Sequence, residues 1–237
     1  MARTVKPQQE RRDEILGAAK ALFFSDGYEA TSVNRIIEML GISKGAFYHH
    51  FKSKEDVLDE LVEQLTRAQV DAMRALLDDP RLDALDKLNG FYAGAGSFKR
   101  EHAGSLRTLM QVMYRPDNLL LRHRMAAASV RAVTPALSAI IAQGVRERLF
   151  DCASPGHTAE LILGLGTLLS DSLAAQLGAA PEDVSSEVVL GIEERVLFYE
   201  QAVERLLGAE RGTVRIIQPG VIAAICGLRR AGAPSAS

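Results

Sequence analysis

The stretch of residues 31–54, TSVNRIIEMLGISKGAFYHHFKSK, places the strongest constraint on how this chain can fold. Its first half has apolar residues at helical spacing, namely Val33, Ile36, Ile37 and Leu40. That spacing predicts a short helix with one apolar face. Gly41 follows, and a helix commonly ends at a left-handed residue that is usually glycine. Ser43 then offers a hydroxyl that can accept the first N–H groups of a second helix.

The second half of this stretch predicts a short helix with a polar outer face. Ala46, Phe47 and Phe51 can point inward. The side chains left outside are those of Lys44, Gly45, Tyr48, His49 and Lys52. Two short helices joined by a turn of three or four residues containing glycine form a helix-turn-helix. The second helix of such a motif enters the major groove of DNA.

The charge of the chain is unevenly distributed. The first 54 residues contain nine Lys and Arg and six Asp and Glu, whereas the remainder has 19 basic and 24 acidic residues. The net charge of −2 excludes a general affinity for polyanions, but a basic N-terminal part on an acidic body favours one surface that faces DNA. A difference of this size also arises by chance.

Cysteine use and hydropathy favour a cytoplasmic protein with no membrane partner. Cys152 and Cys226 are separate and have no paired spacing, which excludes a cysteine-ligated zinc site and favours a reducing compartment. The N-terminus is charged, unlike a signal peptide. No run of apolar residues approaches the roughly 18 that a membrane span needs. The longest candidate is Val221–Leu228.

The rest of the chain predicts an all-α fold. A first helix is expected from Arg11 to Phe24, and Ser53 with Asp56 has the spacing of a capping box before a long helix that ends at Asp79-Pro80. Four or five further helices are expected, at about residues 82–98, 103–114, 118–150, 157–177 and 183–207. Pro135 predicts a kink or a break in the third of these. Residues 211–237 form a tail of unknown role, in which 213–217 could be a short extended piece.

The N-terminal residues closely resemble the DNA-binding domain of the TetR family of bacterial transcriptional repressors. The matching positions are Phe24, Gly27, Thr31, Ser32, Val33, Ile36, Leu40, Gly41, Ser43, Lys44, Gly45, Tyr48, His50, Phe51, Lys54 and Leu58. The resemblance implies a three-helix helix-turn-helix domain at 1–55 and a helical ligand-binding and dimerisation domain at 56–210. It covers about a quarter of the chain, and the body matches only in its helical character.

The resemblance also implies roles for individual residues in binding an operator. The candidates for contacts with bases are Asn34, Lys44, Gly45 and His49. The candidates for contacts with phosphates are Thr31, Ser32, Tyr48, His50 and Lys54. The sequence departs from the family pattern at Ile37, where alanine is usual, and at Ala46, which lacks the usual hydroxyl. The second departure leaves only a methyl contact with thymine.

Two further sets of residues are candidates for a dimer interface and an effector pocket. The apolar stripes of the last two helices exceed what one core usually consumes, which suggests an interface formed by Leu161, Leu165, Leu168, Leu169, Val189, Ile192, Val196, Tyr199 and Val203. The middle helices suggest a mainly apolar pocket with Phe91, Phe98, Met110, Met113, Tyr114 and His123. Most of these residues could equally be plain core, and His123 a solvated histidine.

Plainer interpretations compete at several positions. Tyr48 could cover the core with its ring, and Gly164 and Gly166 are more consistent with close helix approach than with a nucleotide loop, because no strand precedes them. His49 and His50 are adjacent on a helix and point apart, so no metal site is expected. No cofactor is expected, and the sequence contains no HExxH, GxSxG or Walker motif.

These observations favour a ligand-responsive transcriptional repressor over two alternatives. It would bind a palindromic DNA operator as a homodimer and be released by a small apolar effector. The first alternative is a dimeric DNA-binding or architectural protein without an effector. The second is an all-helical enzyme, which would require a cleft with perturbed acids or bases.

Overall fold

A computed structural model describes residues 8–101, 113–178 and 186–217 of the chain. Within these ranges the fold is all-α, as predicted, and contains no strand. The helices are α1 Gln8–Ser25, α2 Val33–Leu40, α3 Lys44–His50, α4 Lys54–Leu77, α5 Ala84–Glu101, α6 Leu119–Glu147, α7 Pro155–Gly178 and α8 Ser186–Leu207. A single 3-10 turn, Pro116–Asn118, precedes α6.

The chain divides into two compact units. The first takes its described residues from 1–68 and 112–128, and the second from 69–111 and 129–237. Because the separation falls inside α4 and again inside α6, it differs from the division at residue 55 expected from the sequence. The described residues from 113 to 128 therefore belong to the same unit as the helix-turn-helix. The functional division into domains remains a prediction.

The ends of α2 and α3 form through the local signals that the sequence contains. Ser32 caps α2, with its hydroxyl accepting from Arg35 N at 3.1 Å. Gly41 ends the helix in the left-handed conformation, at φ 61°. Ser43 caps α3 in the same way as Ser32, accepting from Ala46 N at 3.2 Å. These contacts confirm the predicted helix-turn-helix.

The first unit has its own hydrophobic core, which fixes α3 against the other helices. Ile15, Ile36, Phe47 and Leu58 come from α1, α2, α3 and α4, and each is fully buried. Leu121 from α6 is buried in the same core. Helix α3 is too short to be stable by itself. The burial of Phe47 among the apolar side chains of the other helices holds it in place.

The predicted Ser53 cap of α4 is also confirmed, whereas the reciprocal bond of the capping box reaches the residue before the cap. Ser53 Oγ accepts from Asp56 N at 3.1 Å, and Asp56 Oδ2 accepts from Lys52 N at 2.9 Å. The helix then runs to Leu77, two residues before the predicted end. Most other helices lie within three residues of their predicted bounds, whereas most of the helix expected at 103–114 lies outside the described residues. Pro135 lies inside α6, and no break occurs there.

The second unit packs around a separate core formed by α5, α6, α7 and α8. Leu88, Ile140, Ile162 and Val203 are buried at its centre, one from each helix. Tyr199 on α8 donates its hydroxyl to Ile162 O at 2.8 Å. A Cβ on Gly166 would lie 2.9 Å from that hydroxyl, so this glycine permits the close helix approach predicted for it. A Cβ built on Gly164 would have no atom within 4 Å. The predicted close helix approach at Gly164 is therefore wrong.

The chain continues past α8 in an irregular segment, residues 212–216, that is held by side chains. Buried Glu204 accepts from Gly212 N at 2.7 Å and from Val214 N at 3.2 Å, both through Oε1. Glu200, also buried, accepts from Ile216 N at 2.8 Å. Three amides of the segment thus bond to side chains of α8, and the segment contains no helix or strand. The prediction of a short extended piece at 213–217 remains a prediction.

Two described helices are long and apolar enough to cross a membrane by length and composition. They lie at 116–147 and 155–176. The search of the sequence for uninterrupted apolar runs missed these two helices, because polar residues are scattered through both. This finding is weak evidence, because core helices of soluble proteins pass the same test. Both helices contribute buried residues to the second core, such as Leu137 and Ile162.

Candidate DNA-binding surface

Helix α3 presents a polar face to solvent and an apolar face to the core. Lys44, Gly45, Tyr48 and His49 are exposed, whereas Phe47 is fully buried. Asn34, on the exposed side of α2, has the same environment. The four candidates for base contacts, Asn34, Lys44, Gly45 and His49, are therefore all exposed in the first unit. Their contacts with DNA remain a prediction.

Gly45 has no packing role in the protein itself. A Cβ built at this position would have only the Ser43 hydroxyl within 4 Å, at 3.9 Å. Its backbone dihedral φ is not positive. Neither sterics nor backbone conformation therefore demands glycine here. A close approach of another molecule to this backbone is a physical reason for the missing side chain.

Tyr48 combines the two roles considered for it. Its ring packs edge-on against Phe47, with centroids 5.4 Å apart, which covers the core. More than half of the side chain, 55%, is nevertheless exposed. The hydroxyl of an amphipathic tyrosine in this position can reach a phosphate while the ring stays packed.

The two hydroxyl residues that precede α2, Thr31 and Ser32, have different environments. Ser32 is exposed and stands at the helix N-terminus, where unpaired backbone N–H groups favour an anion. Thr31 is buried, and its hydroxyl donates to Gly27 O at 2.7 Å. The predicted phosphate contact of the Thr31 side chain is therefore wrong, because that hydroxyl is enclosed and already paired.

Lys54 makes contacts within the chain that the sequence did not reveal. Its ammonium donates to Tyr28 O at 2.8 Å and lies 4.2 Å from the centroid of the Tyr28 ring. Glu29 O lies 3.5 Å from the same nitrogen. An ammonium has three donors, so one remains for the phosphate contact predicted for Lys54. Its main structural role is to hold the turn between α1 and α2.

His50 lies at the end of α3 beside several positive charges. Partial burial lowers the pKa of its imidazole below the usual 6.5, and the charges of His49, Arg12 and Arg11 act in the same direction. The side chain is therefore mainly neutral at pH 7 in the protein without DNA. A phosphate nearby would have the opposite effect and favour the protonated ring.

Arg12 is a structural residue of this surface that the sequence did not identify. Its guanidinium makes a bidentate pair with Glu60 on α4, donates to His50 O at 2.7 Å, and lies 4.4 Å from the Phe51 ring centroid. The Glu60 carboxylate raises the pKa of Arg12. Arg12 thus fixes the end of α3 to α1 and α4. No sequence signal identifies a pair separated by 48 residues.

The structure does not bring the pocket candidates into one unit. Met113 packs against the first core, Tyr114 lies under the Arg122 guanidinium, and His123 is exposed, all in the first unit. Phe91 belongs to the second unit. Met110 and the side chain of Phe98 lie outside the described part of the chain. The exposure of His123 does not favour a place inside a closed cavity, and its assignment to the pocket remains a prediction.

The interface candidates fall into two groups. Leu161 and Leu168 on α7 are 57% and 66% exposed. Leu165 and Leu169 are partly buried against the second core. The five candidates on α8, Val189, Ile192, Val196, Tyr199 and Val203, are buried within the chain itself. Those five form the inner stripe of α8 and leave no surface for a partner, so their assignment to an interface is corrected.

The exposed apolar residues of α8 lie on its other side. Leu190, Leu197 and Phe198 are 59%, 52% and 67% exposed. Together with Leu161 and Leu168 they form what we call the α7–α8 apolar face. Three of its five members were missed because they stand next to residues of the stronger inner stripe.

Comparisons with known proteins identify the N-terminal part of the chain. Residues 15–61 match the family model described as "Bacterial regulatory proteins, tetR family". The transcriptional repressor KstR2 of Mycolicibacterium smegmatis is 36% identical over 94 residues, which are 39% of this chain and 45% of that protein. The chain thus matches about half the length of this curated relative, and the match does not extend to whole-protein function.

Solved structures extend the similarity of fold to most of the chain. A TetR-family regulator from Pectobacterium atrosepticum has a TM-score of 0.59 at 21% identity, over 88% of this chain and all of that one. A regulator described as a putative TetR-family protein, from Syntrophomonas wolfei, has the same TM-score and identity over 86% and 100% of the two chains. At this identity the likeness concerns the fold alone. Residues 15–61 therefore match the DNA-binding domain of the TetR family, and the fold of the chain is similar to that of solved TetR-family regulators.

Proposed function

We propose that this protein is a ligand-responsive transcriptional repressor that binds a palindromic operator as a homodimer. The observation that carries the proposal is the polar face of α3. Lys44, Tyr48 and His49 are exposed on a helix that Phe47 anchors to the core. A small rigid helix with donors on its outer face has the size and chemistry needed to read a major groove.

The base contacts come from α3 and from Asn34 on α2. Lys44 has donors suited to the N7 and O6 acceptors of guanine, and Asn34 matches adenine. Gly45 lets the backbone of α3 approach the base edges. The phosphate contacts come from Ser32, Tyr48, His50 and the remaining donor of Lys54, and they set the register of the protein on the duplex.

The second subunit of the dimer supplies the second reading helix. One helix-turn-helix makes few contacts, whereas two related by a two-fold axis read half-sites about one helical turn apart, ~34–36 Å. The α7–α8 apolar face supports this arrangement, because five large exposed apolar side chains on two adjacent helices are unusual for a monomer. An isologous contact would cover the face on both subunits.

The effector is the part of the proposal that rests on the sequence and on the family resemblance. We infer a small apolar ligand that binds in the second unit and shifts the dimer between two spacings of its reading helices. Such a ligand acts only if it binds one spacing more tightly than the other. The protein would act in the cytoplasm, where operator and effector meet.

Selection from a random-sequence duplex pool tests DNA recognition and finds the operator sequence in the same experiment. The wild-type chain is expected to enrich a palindrome with half-sites about ten base pairs apart and to bind it with strong salt dependence. Lys44→Ala should weaken binding by about tenfold or more at one defined base pair. Arg146→Ala removes an equal charge from α6 and should leave affinity unchanged. Equal affinity for the enriched and random duplexes would refute the proposal.

A separate experiment tests the effector. Apolar compounds are screened for those that raise the melting temperature of the protein, and each hit is then titrated into the protein–palindrome complex. A ligand that stabilises the protein and releases DNA supports the ligand-responsive repressor. Palindrome binding that no stabilising ligand changes would favour a DNA-binding protein without an effector.

A further inference from the structure

Residues Arg115–Asn118, which we call the clasp, bond to the turn between α1 and α2, some 90 residues earlier in the chain. Asn118 is fully buried. Its Oδ1 accepts from Tyr28 N at 2.6 Å, and its Nδ2 donates to Phe23 O at 3.2 Å. One side chain thus joins the last turn of α1 to the residue that follows Gly27.

The clasp makes two more bonds with the same turn. Asp117 O accepts from Glu29 N at 3.0 Å, and Arg115 Nη1 donates to Ser25 O at 2.8 Å. Four backbone groups of residues 23–29 are therefore paired by a segment that is distant in sequence. Phe23 and Tyr28 are buried, so their backbone groups need such partners, and the turn takes them from outside the helix-turn-helix.

Gly27 is shaped to accept the clasp. Its φ of +102° lies in the region that favours glycine. A Cβ at this position would lie 2.9 Å from Asp117 Cβ, closer than real side chains come. The turn and the clasp therefore fit only without a side chain at residue 27.

The turn that the clasp holds leads directly into the N-terminus of α2. Thr31 donates to Gly27 O from its backbone at 3.1 Å and from its hydroxyl at 2.7 Å. Ser32, the next residue, caps α2. The position of Gly27 is thus transmitted through Thr31 to Ser32 and to the unpaired amides at the start of α2.

We propose that Asn118 is a positioning residue for DNA binding, which acts by fixing the α1–α2 turn and through it the phosphate-binding end of α2. The inference rests on the proposed function and adds that the DNA-binding unit is incomplete without residues 115–118. The apolar core already holds α1 to α2 through Ile15 and Ile36. Loss of the clasp should therefore release the turn while the helices stay packed.

A purely structural role for Asn118 would give a different result. At a temperature well below unfolding, nearly every molecule is folded, so lower stability alone leaves the measured DNA affinity unchanged. A displaced α2 N-terminus lowers that affinity at the same temperature. Hydrogen exchange at the Tyr28 and Glu29 amides reports the state of the turn without DNA.

The test compares full-length variants on the duplex that the wild-type protein selects. Asn118→Ala should bind it at least about tenfold more weakly, with unchanged helical circular dichroism and faster exchange at the Tyr28 and Glu29 amides. Gly27→Ala, which pushes against the clasp from the other side, should have the same effect. Asp117→Ala keeps both the Cβ and the backbone carbonyl and is the matched control, with wild-type affinity.

The outcomes separate the inference from the proposed function. Wild-type protein that selects no duplex refutes the function, which is read from the wild type alone. A folded Asn118→Ala with wild-type affinity, beside a wild type that binds tightly, overturns the positioning role. If Asn118→Ala does not fold, Arg115→Ala is tested instead. This variant loses only the solvent-exposed hydrogen bond from Arg115 to Ser25 O. A loss of about threefold supports the role, and unchanged affinity overturns it.

Discussion

At the scale of single residues, Gly45 separates the demands of folding from those of DNA binding. Every other apolar or small residue of α3 faces the core or its margin, but Gly45 is exposed with space around it. Glycine within a helix is less favourable than alanine by up to ~1 kcal/mol. The protein thus retains a residue that lowers its stability at the point closest to the expected base edges.

Gly45→Ala is expected to maintain or raise the free energy of unfolding, by up to ~1 kcal/mol. The same change should weaken binding to the selected duplex by about tenfold, since a methyl group between α3 and the bases prevents close approach. Urea denaturation and anisotropy titration measure the two effects. The prediction fails if the variant binds DNA as tightly as the wild type.

His50 predicts opposite responses of stability and DNA affinity to pH. Its folded pKa is lowered, mainly by burial, so the folded state binds this proton less readily than the unfolded chain. The stability that His50 contributes is therefore complete above the unfolded pKa near 6.5 and is lost as pH falls below it. A phosphate contact favours the protonated ring, so DNA affinity should rise over the same interval.

Titrations between about pH 7.5 and 5.5 test this prediction when wild type and His50→Gln are compared. The comparison removes the contribution of other groups, because only the His50 term differs. As pH falls, the DNA affinity of the wild type should rise relative to that of His50→Gln. Its free energy of unfolding should fall relative to that of the variant. A difference between the two proteins that does not change with pH would exclude the phosphate contact.

At the scale of elements, sequence reasoning succeeded where the signal is local. Ser32, Gly41, Ser43 and Ser53 each form the predicted cap, because a cap joins groups that are three or four residues apart. The bonds of Asn118 to Phe23 and Tyr28 have no such signal. They depend on where a later segment lies in the folded chain, which periodicity does not encode.

Helix α8 shows why a stripe predicts burial better than it predicts the partner. The spacing of Val189, Ile192, Val196 and Val203 correctly places these residues on one face. Periodicity does not reveal whether that face meets the chain's own core or a second subunit. The exposed stripe, with Leu190 and Leu197 seven residues apart, is weaker because charged residues interrupt it. Only the folded structure distinguishes the two faces.

The segment after α8 gives a prediction about buried carboxylates. Glu204 is 3% exposed and accepts two amides through one oxygen, Oε1. Glu204→Gln keeps an acceptor at that position, whereas Glu204→Leu leaves Gly212 N and Val214 N without it. The leucine variant should lose about 2–3 kcal/mol of unfolding free energy, and the glutamine variant less than half as much. Equal losses in urea denaturation would show that the carboxylate does not hold the segment.

At the scale of the whole molecule, α8 has two apolar surfaces with different expected roles. One is buried in the folded chain, and the other is exposed and available for assembly. The inner stripe is buried within one chain, partly in the second core and partly in a smaller neighbouring cluster, and the α7–α8 apolar face is left exposed. A change on the exposed face should therefore affect assembly without unfolding the subunit. A stable interface buries roughly 1,200–2,000 Å² in total, which two helices from each subunit can provide.

Phe198→Glu tests this assignment, because a charge on each side of a two-fold interface is introduced twice and repels itself. Sedimentation should show a shift from dimer to monomer, and the helical signal should persist, since Phe198 is 67% exposed in the single chain. Affinity for a full palindrome should fall by about hundredfold or more, while affinity for a single half-site should not change.

Val145→Glu provides the control, because it places the same charge on a partly exposed apolar residue of α6 outside this face. That variant should remain dimeric and bind the palindrome normally. If Phe198→Glu also remains a dimer, another surface joins the subunits and the apolar face has a different occupant. If it becomes a monomer yet keeps full affinity for the palindrome, the two half-sites are not read by one dimer. Either result would remove the link between α8 and DNA recognition that the proposed repressor requires.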